Sequence, residues 1–187
     1  MGVEKSPSVK KASPARGNSG FTLIELVVVI TIVGVLFLAA IDKYLDLLVD
    51  VERTSMEQTL GILRSAVSLQ MAGHIVRGEM AAAEAMAGTN PMNYLSELPK
   101  NYLGELDGPD PATIEEGWWY FDRQAGELVY RVSHHAWFET PQAGPVRARF
   151  RIDALLEQVA PAEPTRTAFV GLTLRPAESY RWLKQPN

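Results

Sequence analysis

The sequence predicts an α+β protein: a long N-terminal helix, membrane-spanning in its first half, packed on a small antiparallel β-sheet head. Three observations predict it. One unbroken apolar block lies near the N-terminus, apolar residues then recur at spacings of three and four, and short strand-like stretches punctuated by Gly, Pro, Asn and Asp fill the C-terminal half. At 187 residues the chain suits one folded head plus an anchor rather than two full domains.

The first 20 residues carry Lys5, Lys10, Lys11 and Arg16 against Glu4, a charge of +3, while the remainder carries −7 of the total of −4. An acidic body disfavours nonspecific binding to nucleic acid. Residues 21–41 (FTLIELVVVITIVGVLFLAAI) follow, with Glu25 as their single ionisable group. At about 1.5 Å per residue this block just spans a hydrocarbon core of roughly 30 Å. The basic segment before it is expected to stay cytoplasmic, which sends everything after Ile41 across the membrane. An ordinary secretory signal peptide has a shorter apolar region and a small-x-small cleavage site, which Leu38-Ala39-Ala40-Ile41 fits poorly. A plain anchor explains the length but not Glu25, since a carboxylate in an apolar helix costs about 2.5 to 3.5 kcal/mol. The bland account of Glu25 places it near the helix start, where the interface and the positive helix end lower that cost.

No proline interrupts the chain between Ile41 and Pro91, and Leu45, Leu48, Val49, Met56, Leu60, Leu63, Val67, Met71 and Ile75 form an amphipathic stripe. Residues 42–78 therefore read as a continuation of the helix, ending near Gly73 or Gly78. Residues 79–187 read as the head. Within it, 79–91 is a short Ala-rich helix stopped by Gly88 and Pro91, and 94–111 is a turn-laden connection. Strands are expected at 117–121, 128–132, 146–152 and 167–174, with a hairpin turn at 122–126. Trp118, Trp119, Tyr120 and Phe121 cannot all face one side of a strand; packing beneath the helix accounts for part of the block.

The residues 20–26, Gly-Phe-Thr-Leu-Ile-Glu-Leu, resemble the prepilin signature of type IV pilins and type II secretion pseudopilins. The resemblance implies cleavage between Gly20 and Phe21 by an aspartic prepilin peptidase, and N-methylation of Phe21 by the same enzyme. Residues 1–20 would then be a discarded leader. It further implies that Glu25 of an incoming subunit meets the Phe21 amine of a neighbour, neutralising two charges that are costly in lipid. The implied partners are the peptidase, sister pilin or pseudopilin subunits, an inner-membrane assembly platform, and membrane lipid before assembly. Two departures stand out: Asp42 occupies a position where many members have proline, and the leader is longer than many. The block WWYFDRQAGELVYRV also resembles pseudopilin heads, in which an aromatic strand turns into a second strand.

Other chemistry finds less support. The chain has no Cys, hence no disulfide framework, thiolate zinc site or cysteine nucleophile. His74, His134 and His135 match no zinc motif, and no nucleophile elbow, phosphate loop or cofactor motif is present. Glu105, Asp107, Asp110, Glu115 and Glu116 offer oxygen enough for calcium, but Pro109 and Pro111 favour a solvated turn. Arg147, Arg149 and Arg151 would project from one face of a strand, either toward phosphates or as a charged face that discourages edge pairing. The expectation is a non-enzymatic structural subunit, a minor pilin or pseudopilin of a bacterial type IV pilus or type II secretion filament. The alternative is a membrane-tethered extracytoplasmic binding module that does not polymerise.

Overall fold

The computed structural model describes residues 20–159 and 166–183. The chain divides into two compact units, one ending at Tyr44 and one beginning at Leu45. Helix α1, Leu23–Val76, contributes to both. In the first unit every described residue from Gly20 to Ile41 is exposed, so the helix there presents an apolar surface that no described residue buries. This stretch is long and apolar enough to cross a membrane.

In the second unit, Val49, Met56, Leu60, Leu63 and Val67 of α1 are buried, and the last four share one core with a five-stranded sheet. Of the remaining stripe positions, Met71 is partly buried, whereas Leu45 and Ile75 are exposed. The helix ends where the stripe runs out, through a Schellman motif: Gly78 N–H donates to Ile75 C=O at 2.9 Å and Glu79 N–H to His74 C=O at 2.9 Å. Gly78 has φ of 75°, the left-handed conformation that glycine adopts without strain. Helix α2, Met80–Glu84, is the short Ala-rich helix expected from the sequence.

The sheet is built from β1 (Tyr102–Leu106), β2 (Trp119–Asp122), β3 (Glu127–Arg131), β5 (Arg147–Val159) and β6 (Arg166–Pro176), in the order β1-β2-β3-β5-β6. Strands β4 (Phe138–Glu139) and β7 (Arg181–Trp182) form a separate two-stranded ribbon. Three pairings of the main sheet are antiparallel, as expected, but β1 runs parallel to β2, so the sheet is mixed. The β2–β3 turn closes with Gly126 N–H donating to Asp122 C=O at 2.9 Å, while the Asp122 carboxylate accepts from the amide of Gln124.

Register sets the core. The pairs Trp119↔Tyr130, Phe121↔Leu128, Leu128↔Phe150 and Ile152↔Leu174 line up buried side chains across neighbouring strands. Trp119 packs on Tyr130 with ring centroids 4.7 Å apart. Of the aromatic block, Trp119, Tyr120 and Phe121 are buried and Trp118 is partly exposed. Burial pushes the Tyr120 hydroxyl above its ordinary range.

Candidate processing and assembly site

Gly20 and Phe21 precede the helix and are exposed; Phe21 retains 75% of its accessible surface. A Cβ added at Gly20 would meet nothing within 4 Å. The chain's own packing among the described residues therefore sets no demand for a small residue there. Residues 1–19 of the expected leader lie outside the described residues.

Thr22 caps the helix. Its hydroxyl accepts from the Glu25 amide at 3.2 Å, and its carbonyl accepts the first helical bond from Leu26 at 3.1 Å. Glu25 thus occupies the third helical position, where a carboxylate is favoured by the amide ends of the first turn. Because the helix begins at Leu23, the spacing from Phe21 to Glu25 crosses the cap rather than running along one helical face. Sequence reading missed Thr22, although Thr-x-x-Glu before an apolar run is a capping signature.

A second carboxylate on α1 was also missed. Glu52 is buried among the apolar stripe residues and accepts from four donors in the head. Tyr130 Oη donates at 3.0 Å, the Ser133 amide at 2.7 Å and the His134 amide at 3.0 Å, and His134 Nδ1 completes the set. Burial, reinforced by the Glu52 charge, holds the Tyr130 phenol far above its ordinary range, so it remains a donor. Each buried apolar side chain of the stripe contributes roughly 1.5 to 3 kcal/mol, so the stripe supplies most of the docking energy. Glu52 supplies direction: only one rotation of the helix satisfies all four donors. A charged residue between Val49 and Met56, on the apolar face, was the signal in the sequence.

Of the remaining candidates, Glu115 is exposed, and the others are turned to internal partners. Glu105 accepts from Asn90 and Asn93, which hold its carboxyl below the usual range; Asp107 pairs with Arg123, and Asp110 caps the turn Pro111–Thr113. Glu116 lies 2.9 Å from His135. No group of three or more His, Cys, Asp or Glu converges on a point among the described residues. Arg149 pairs with Glu178 at 2.7 Å and Glu127 at 3.1 Å, Arg151 pairs with Asp153, and Arg147 donates to the Pro145 carbonyl. The three guanidiniums are therefore engaged within the head. His134 serves Glu52, and His135 faces Glu116 from a loop end.

No characterised protein and no solved structure shows a significant match to the chain. One family model does match: residues 15–41 fit the prokaryotic N-terminal methylation motif. Together with the capped, exposed apolar helix that this segment opens, the match shows that the chain carries the prepilin-type signature of type IV pilins and pseudopilins.

Proposed function

We propose that this chain is a structural subunit, a minor pilin or pseudopilin, of a bacterial type IV pilus or type II secretion filament. The observation that carries the proposal is the apolar surface of α1 over residues 23–41, headed by the methylation motif and bearing one carboxylate in its first turn. In this reading residues 1–20 are the leader, 21–41 the membrane span, 42–78 the amphipathic continuation and 79–187 the head. A prepilin peptidase cuts between Gly20 and Phe21 and methylates the new amine. The precursor sits in the inner membrane, surrounded by lipid, with its N-terminus cytoplasmic and its head extracytoplasmic. It then passes through an assembly platform into a filament of sister subunits. The role requires no catalysis by the chain.

The hydrocarbon region offers no counter-charge for either Glu25 or the Phe21 amine, whereas a neighbouring helix offers one for each. Intact mass after co-expression with a prepilin peptidase tests processing: the expected product begins at N-methyl-Phe21, and a cut after Ala39 or Ala40 would contradict it. Glu25→Ala tests assembly. Removing the carboxylate takes a charge out of the apolar segment and does not oppose insertion, so reduced filament content cannot arise from failed insertion. Equal entry of mutant and wild type into sheared filaments would leave Glu25 as a tolerated residue at a helix start. A wild-type chain that stays monomeric beside its sister subunits would instead favour the tethered binding module.

A further inference from the structure

Sheet edges carry unpaired backbone groups, and a long edge strand is a template for another chain. One edge of this sheet is short: β1 has five residues, its register with β2 shifts between Tyr102 and Glu105, and Gly104 takes φ of 103°. Such irregularity discourages further pairing. The other edge, β6, is 11 residues long and closed differently. The Leu172 amide turns to α1 and donates to Met71 Sδ at 3.2 Å, and the Leu174 carbonyl accepts from Arg64 Nε at 3.3 Å. Between the helix and this edge lies Gly171, buried, where an added Cβ would stand 3.8 Å from Met71 Sδ. Beyond the capped groups, the β5–β6 register shifts between Leu155 and Leu156, and Pro176 ends the strand.

We propose that Arg64 and Met71 act as a guard that closes the β6 edge to strand addition, so that copies of this chain held side by side do not join sheet to sheet. Side chains from α1 occupy one backbone donor and one backbone acceptor that an incoming strand would need. A second copy is the relevant intruder, because it carries the same edge and, in a filament, would stand at high local concentration.

Hydrogen exchange on the full-length chain in detergent reads the guard directly. The Leu172 amide should be protected in the wild type, and Met71→Leu, which keeps the apolar volume but removes the sulfur, should speed its exchange roughly tenfold while the Asp153 amide on β5 is unchanged. The absence of native cysteine allows a second readout. Val170→Cys, at a position 56% exposed, should give disulfide dimers several-fold more readily when combined with Arg64→Ala and Met71→Leu than alone. A Leu172 amide that exchanges freely in the wild type, exchange indifferent to Met71→Leu, or crosslinking no higher without the guard overturns the proposal. Should the triple variant fail to fold, the exchange measurements decide.

Discussion

Glu52 shows how one charged side chain can orient a head that hydrophobic burial alone would hold loosely. Truncation leaves a phenol and two backbone amides without their acceptor, so Glu52→Ala should destabilise the head by about 3 kcal/mol. Val51→Ala, one position away on an exposed face, should cost less than about 0.5 kcal/mol. Denaturant unfolding followed by tryptophan fluorescence measures both. Glu127 makes the opposite case. Burial, only partly offset by Arg149, raises its carboxyl above the usual range, and Oε2, though 3.1 Å from the Arg149 guanidinium, receives no well-directed hydrogen bond. A raised carboxyl means that the native state binds the proton more tightly, so this group contributes most at low pH. That contribution fades as pH rises from the unfolded value, about 4.3, through the folded one. Glu127→Gln should therefore lose ground to wild type at low pH and gain on it toward neutrality; a constant stability difference from pH 4 to 7 would refute the assignment. Neither residue's role was readable from the sequence, because both depend on partners far away in the chain.

At the scale of elements, periodicity carried the reading where contacts are local. The amphipathic stripe of α1, its stop at glycine and the β2–β3 hairpin were visible because each follows from spacing or turn chemistry within a few residues. Strand β1 was not, since Tyr102–Leu106 sits among Pro, Gly and Asp and gains strand character by pairing parallel with β2 from across a loop. The β4–β7 ribbon failed for the same reason: two residues on each side carry no pattern, and Phe138 packing edge-on to Trp182 holds them. Gly78 supplies the prediction at this scale. Alanine there must adopt the left-handed conformation, so Gly78→Ala should lower stability by about 1 to 2 kcal/mol, whereas Gly61→Ala, on an open helical face, should raise it by roughly 0.5 to 1. The difference in unfolding midpoint between the two variants is the measurement.

For the whole molecule, the anchor was the most readable part, since 21 residues with one charge leave few physical alternatives to lipid or to other helices. What the sequence left open was which carboxylates and guanidiniums were free. The fold shows the arginines of β5 engaged with Glu127, Asp153, Glu178 and a backbone carbonyl, which weakens the case for a phosphate-binding face. The proposed topology has a direct test. In cells lacking a prepilin peptidase, so that the leader is retained, a single cysteine introduced by Ala125→Cys, at the exposed β2–β3 turn, should react with a membrane-impermeant maleimide in intact spheroplasts, whereas one introduced by Ser8→Cys should react only after lysis. Reversed labelling would turn the chain around in the membrane.

The cap at Thr22 bears on the cost of maturation. Both the hydroxyl that receives the Glu25 amide and the carbonyl that receives the Leu26 amide lie downstream of the Gly20-Phe21 bond. Under the proposed processing, scission there would cut none of the bonds that begin the helix, so the spine would enter and leave the peptidase with its end already sealed. Precursor and mature chain should consequently share one helix content, and the event that licenses assembly would be the gain of an amine rather than any refolding.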